Sequence, residues 1–261
     1  MSGNQNTCQS VEQKPQSHTN EDVARELEKV KKEMKDFVYI ISHDLKAPLR
    51  GIKTLAGWIV SDYADKLDDE GKEQLTLLSS RVDHMHNLIE AVLQYSRIGR
   101  ITEEKTMVDI KEAVDEAIRV VSPSDQISVN IGTELPLVYA DRKRIVEIFQ
   151  HLISNAVKFN DKAKGQIDIN CMEDSDNFKF SVADNGPGIA EEHYETVFMI
   201  FRSVTEKKDE NALGIGLTLT KKIVETYGGE IWIESKPREG TTFFFNLPKH
   251  IKHMKESNHE S

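Results

Sequence analysis

Apolar positions recur along the first third of the chain with a helical period. From Glu21 onward, Val23, Leu27, Val30, Met34, Phe37 and Ile41 follow one another at alternating spacings of four and three, with Glu and Lys between them. Such a heptad-like stripe predicts a helix with one apolar face. The pattern runs on past Pro48 through Ile52, Leu55 and Ile59, and a bend is expected there because proline removes a helical hydrogen bond. Residues 64–70, ADKLDDE, are polar and end in two N-cap candidates, Asp68 and Asp69. A second stripe follows at Leu75, Leu78, Val82, Met85, Ile89, Val92 and Ser96, with Gly99 as its stop. Two amphipathic helices on a short loop make an antiparallel hairpin, which cannot cover both of its apolar faces. Two hairpins paired as a four-helix bundle can, so a homodimer is expected. The alternative is a single hairpin packed against the rest of its own chain.

After residue 104 the texture is mixed. Ile110 to Val121 reads as a helix, Ile127 to Ile131 as a strand, and Asp141 as the cap of a long helix reaching Phe159. Strand-like apolar runs lie at residues 167–172, 178–183, 230–234 and 242–247, and helical patterns at 191–198 and 215–227. Helices interleaved with hairpin-spaced strands predict one mixed sheet with helices over one face. The expected fold class is therefore multidomain, α plus α/β. A dimeric helical hairpin (residues 21–100) precedes an α/β sandwich (101–248), and polar tails (1–20 and 249–261) flank the two. The N-terminal tail is expected to be disordered.

Composition narrows the function. Of 261 residues 30% are charged, and the net charge of −10 disfavours a general nucleic-acid binder, which needs clustered Lys and Arg. Cys8 lies in the polar tail and Cys171 in a strand pattern, so both read as free thiols. No window reaches the roughly 18 consecutive apolar residues of a membrane span, and the polar N-terminus lacks the apolar core of a signal peptide. The expectation is a soluble cytoplasmic protein without direct membrane insertion.

Four segments carry candidate chemistry. In SHDLKAPL, residues 42–49, His43 lies two residues beyond Ile41, about 200° around the helix and so turned from the apolar stripe. Asp44 can hold one imidazole tautomer, leaving the other nitrogen free to attack phosphorus. In HLISNAVKF, residues 151–159, the polar side chains of Glu147, His151, Asn155 and Lys158 line one helix face. There Asn155 can offer an oxygen to Mg²⁺ and Lys158 can meet a phosphate. DNGPGIA, residues 184–190, follows a strand: Gly186 and Gly188 permit close backbone approach, and Asp184 can accept from an exocyclic amine. In ALGIGLTLTKKIVETYGG, residues 212–229, Gly214 and Gly216 open a helix whose N–H groups suit a phosphate chain. The intervening VFMIFRSVTEKKDENA reads as a hinged lid over a ligand.

In this order the segments resemble the H box, N box, first glycine box, F box and second glycine box of sensor histidine kinases, and GTTFFFNLP, residues 240–248, resembles their terminal strand. The resemblance covers about residues 35–248. It implies a phosphotransfer hairpin joined to a Bergerat-type ATP-binding domain shared with the GHKL ATPases, and the HDLKAPLR segment is similar to that of phytochrome-like kinases. It implies that His43 is the phosphoacceptor, Asp44 its acid-base partner, Asn155 the Mg²⁺ ligand and Lys158 a phosphate contact. It further implies that Asp184 recognises adenine beside Gly186 and Gly188. Phe198 and Phe201 would base the lid, Gly214 and Gly216 would close it on the phosphates of ATP, and Thr242 would assist near adenine. The implied partners are a second copy and a response regulator receiver domain.

Three departures stand out. Ala47 occupies the place, four after the histidine, where many family members carry Thr or Asn for dephosphorylating their partner. Ala212 stands where a further glycine often begins the second glycine box. Only about 20 polar residues precede the hairpin, so the chain is either truncated or takes its input from a separate sensor polypeptide. Two other readings compete. A GHKL ATPase would carry a Glu four residues before the metal Asn, where His151 stands. A degenerate kinase serving as a dimeric scaffold would not need His43, Asn155 and Asp184 intact.

Overall fold

The computed structural model describes residues 20–99, 104–202 and 214–249. Helix α1 (Asn20–Asp62) runs uninterrupted through Pro48 and turns into α2 (Asp69–Arg97). Asp68 is the N-cap of α2, its carboxylate accepting the Gly71 N–H at 2.8 Å. Ion pairs Lys53–Asp83 and Lys46–Glu90 fix the antiparallel register of the hairpin. On α1, Ser42, Leu49 and Ala56 are buried at heptad spacing on the face packed on α2. The long stripe read from the sequence, including Leu27, Phe37, Leu55 and Ile59, stays exposed in the single chain. Helix α2 ends at Ile98, and Gly99 follows at φ +78°, a conformation that suits glycine.

The α/β part opens with β1 (Thr106–Asp109), α3 (Ile110–Val121), β2 (Ile127–Ile131), β3 (Leu137–Ala140) and α4 (Arg142–Lys158). It continues with β4 (Gly165–Glu173), β5 (Asn177–Asp184), α5 (Gly216–Thr226), β6 (Ile231–Lys236) and β7 (Gly240–Pro248). Five strands form one sheet in the order β2-β4-β5-β7-β6, parallel between β2 and β4 and antiparallel elsewhere. Alternation along the strands turns Ile167, Ile169, Phe180, Val182, Phe243, Phe245 and Leu247 inward against the helices. Helix α4 meets them with Ile145, Ile148, Phe149, Leu152, Ile153 and Ala156, spaced for one buried face. Phe149 stands edge-on to both Phe180 and Phe245, whose rings stack at 4.9 Å.

The structure departs from the sequence reading in two places. Strands β1 and β3 form a small antiparallel ribbon that the sequence did not reveal. The helix expected over 191–198 is two 3-10 turns, Glu191–His193 and Thr196–Phe198, neither with a side-chain cap. Between them Tyr194 is tied to β6 through Ser235, which holds the segment against the sheet. The C-terminal half of α2 also packs on the α/β part, where Ala91 and Ile98 join its core.

Candidate active site

Packing of the hairpin turns His43 outward. Its neighbour Ser42 is buried against α2, whereas 77% of the His43 side chain is exposed. His43 Nδ1 lies 3.2 Å from Asp44 Oδ1, so a proton on Nδ1 leaves Nε2 with its lone pair toward solvent. Lys46, one turn on, pairs with Glu90 of α2.

A cavity of about 700 Å³ lies where α4, the end of β5 and the start of α5 converge, with α2 as a further wall. Asn155, Lys158, Asp184, Gly188, Gly214 and Gly216 all line it, so folding gathers residues from three separated segments. Helix α4 presents Asn155 because its buried stripe fixes the rotation, and Asp141 caps the helix by accepting the Lys143 N–H at 2.8 Å. The Asn155 amide is half-buried and hydrogen-bonds to no described residue. Lys158 carries its ammonium over the Phe159 ring at 5.4 Å.

Asp184 ends β5, and its Oδ1 accepts the Gly186 N–H at 2.8 Å. Burial pushes its carboxyl above the usual carboxylate range, against the backbone N–H groups of Gly186 and Thr241, with Asp161 adding to the rise. Two glycines are required by backbone geometry. Gly188 sits at φ +72°, where a Cβ would lie 2.0 Å from the Lys236 carbonyl oxygen. Gly214 sits at φ +61°, with the Arg202 carbonyl oxygen 2.4 Å from such a Cβ. Gly216 opens α5, and Ile215 before it supplies no side-chain cap, so the first N–H groups of the helix remain available to a ligand.

Four sequence candidates for nucleotide binding do not line the cavity; of these Gly186 serves it by donating its N–H to Asp184. Thr242 is on the opposite face of the sheet, because β7 alternates and its neighbour Thr241 points into the cavity, buried. Phe198 packs edge-on to Phe243 at 6.3 Å, and its carbonyl accepts from Thr218 Oγ1 at 3.0 Å, so it supports the cavity from behind. Phe201 is exposed at φ +62°. Most of the expected lid, including Ala212, lies outside the described residues, as do Cys8 and the N-terminal tail; Cys171 is a free thiol.

The sequence reading did not assign His151, Thr241 or the α2 wall of Asn87, Glu90 and Gln94 to the site. Burial lowers the pKa of His151 although Glu147 opposes it, and its Nδ1 lies 3.3 Å from Thr220 Oγ1. His151 was visible as part of the polar stripe on α4. The α2 wall had no local signal, since it arises from packing between distant segments.

The hairpin thus displays an exposed His–Asp pair, and the cavity of the α/β part is lined by Asp184, Asn155 and glycines of two separate segments. Residues 33–101 match the His Kinase A (phospho-acceptor) domain, and residues 140–251 match the histidine kinase-, DNA gyrase B-, and HSP90-like ATPase. The chain is 41% identical over 227 residues to Cyanobacterial phytochrome B of Nostoc sp., covering 85% of this chain and 30% of that protein. It is 33% identical over 229 residues to Phytochrome-like protein Cph1 of Synechocystis sp., with 87% and 30% covered. The crystal structure of full-length ShkA in complex with AMPPNP superposes with a TM-score of 0.62 at 25% identity, covering 82% of this chain and 45% of that one. The chain belongs to the histidine kinase family, and it spans about 30% of the length of these two curated relatives.

Proposed function

We propose that this chain is an ATP-dependent protein histidine kinase that phosphorylates His43 and passes the phosphoryl group to an aspartate of a response regulator receiver domain. In this reading the phosphotransfer hairpin spans residues 21–100 and the ATP-binding unit residues 101–248. The observation that carries it is the convergence of Asp184 and Asn155 on one cavity, in a chain that also displays an open imidazole. Asp184 accepts from the adenine amino group, Lys158 and the α5 N-terminus meet the phosphates, and Gly214 and Gly216 keep the backbone close to them. The His43 Nε2 lone pair attacks the γ-phosphorus, the bond to the β–γ bridging oxygen breaks, and ADP leaves with that electron pair. Asp44 orients the ring and stabilises its positive charge as the new P–N bond forms.

The cavity suits Mg²⁺ held mainly by the substrate. Asn155 offers one neutral oxygen, and the described residues contain no cluster of three or more acidic, His or Cys ligands. Magnesium commonly takes one or two protein oxygens and completes its shell with phosphates and water; when bound it neutralises phosphate charge. A hydrolytic ATPase is disfavoured because His151 stands where that chemistry needs a carboxylate base.

The exposed apolar stripe of α1 supports a homodimer through a four-helix bundle, and input reaches α1 from a sensor on the same or a separate polypeptide. Among the described residues no helix is long and apolar enough to cross a membrane, and a need for ATP supports a cytoplasmic setting. The test is incubation with γ-labelled ATP. The expected label is acid-labile and base-stable, is abolished in His43→Gln, and leaves nucleotide affinity intact in that variant. Label persisting in His43→Gln, on His84, His86 or any other residue, would overturn the assignment.

A further inference from the structure

Thr241 lies beside Asp184 at the end of the cavity assigned above to the base, and its hydroxyl belongs to a hydrogen-bond cluster centred on Ser235. Ser235 Oγ is 2.8 Å from the Ile189 N–H, 2.8 Å from the Gly240 carbonyl oxygen and 2.9 Å from Thr241 Oγ1. A serine hydroxyl has one proton and two lone pairs. The Ile189 N–H can only donate, which occupies one lone pair. The Gly240 carbonyl can only accept, which takes the single proton. The one capacity left on Ser235 is a second lone pair, so the contact with Thr241 requires Thr241 to be the donor. The cluster is held from behind: Ser235 N–H donates to the Tyr194 hydroxyl at 2.8 Å, and that hydroxyl donates back to the Ser235 carbonyl. Ser235 therefore cannot turn to release the Thr241 proton without breaking part-buried hydrogen bonds, each costly to leave unmade.

We propose that Ser235 is a specificity-determining positioning residue that holds the Thr241 proton away from the cavity, so that Thr241 and Asp184 together present only acceptors to the base. An acceptor-only rim in direct contact recognises the 6-amino group of adenine. It rejects a 6-oxo purine, whose oxygen meets lone pairs with no donor between them. This rests on the reading of Asp184 as the base-binding residue.

The experiment measures dissociation constants of ATP and ITP for the full chain, in the wild type and four variants. In Ser235→Ala the Thr241 hydroxyl is free to rotate and donate to a 6-oxo group. The ATP-to-ITP preference is expected to narrow about three- to ten-fold, the range of one ordinary hydrogen bond. Thr241→Val, which leaves Ser235 in place, is expected to weaken ATP more than ITP, because Thr241 accepts from the amino group and offers the oxo group no hydrogen bond to lose. The double variant is expected to show no narrowing beyond that of Thr241→Val. An unchanged preference in Ser235→Ala with ATP still bound overturns the proposal. So does a Thr241→Val protein that loses ITP as much as ATP, and this second result stands even if Ser235→Ala does not fold. Wild type that binds neither nucleotide, or Asp184→Asn that binds both as the wild type does, instead sinks the underlying assignment of the cavity.

Discussion

Asp184 accepts most strongly from an amino group when it is charged, yet its surroundings oppose the charge. Burial raises its pKa above the usual carboxylate value, and the N–H groups of Gly186 and Thr241 only partly offset that. The sign of the consequence differs for the free and bound protein. In the free protein the folded state holds its proton more tightly than the unfolded state. Between the ordinary and the raised pKa, stability therefore falls as pH rises. In the proposed complex nucleotide prefers the ionised form, so affinity is expected to be complete above the raised pKa and to weaken as pH falls through it. Titrations of ATP binding from neutral pH downward should show that loss at a pH above the ordinary carboxylate range. Asp184→Asn should bind weakly, with no such limb, because its amide offers a donor toward the amino group. A flat wild-type profile through this window would mean that Asp184 does not contact the base. His151 has the opposite sign: its lowered pKa keeps it neutral in the folded state, and its contribution to stability fades as pH falls below the ordinary histidine value.

Among the elements, α1 is the one left incomplete by a single chain. Its buried positions, Ser42, Leu49 and Ala56, face α2, whereas Leu55, Trp58 and Ile59 remain exposed on the same helix. An apolar stripe of that length calls for a partner surface, and a second hairpin supplies one of matching pattern. Replacing both Leu55 and Ile59 by Asp should shift the protein from dimer to monomer in sedimentation or light scattering while the nucleotide cavity, which lies elsewhere, still binds ATP. A variant that stays dimeric would place the interface on another face. The hairpin, α4 and the central strands were legible because their signals are local: repeats of three and four, alternation, and caps such as Asp68 and Asp141. The β1–β3 ribbon was not, since two four-residue strands pair across an intervening helix and strand. The exchange of Thr242 for Thr241 has a sharper cause. Phe243, Phe244 and Phe245 are consecutive, so apolar alternation does not say which parity faces inward. Only the pairing with β5, which sets Thr241 opposite Asp184, decides it.

In the whole molecule the hairpin and the α/β part share a boundary that the cavity straddles. Ala91 and Ile98 of α2 join the α/β core, the Lys222 ammonium lies 5.7 Å from the Tyr95 ring centre, and Glu90 lines the cavity while pairing with Lys46 near His43. One ion pair thus connects the cavity wall to the turn of α1 that carries His43. The same turn exposes Ala47, four residues after His43 and one helical turn along the same face. Removing a phosphoryl group from a receiver aspartate requires water held in line with phosphorus, and a Thr or Asn at this place can hydrogen-bond that water. Alanine has no such group, and the adjacent residue, Lys46, is engaged by Glu90. The balance of the molecule should therefore favour kinase output over phosphatase activity. Dephosphorylation of a phosphorylated receiver domain, followed with ADP present, is expected to be slow with the wild type. Ala47→Thr is expected to accelerate it by roughly ten-fold or more, as in-line positioning is a large part of such rates, with His43 labelling retained. Rapid dephosphorylation by the wild type, unimproved by threonine, would show that another side chain holds the water and that Ala47 does not set the balance.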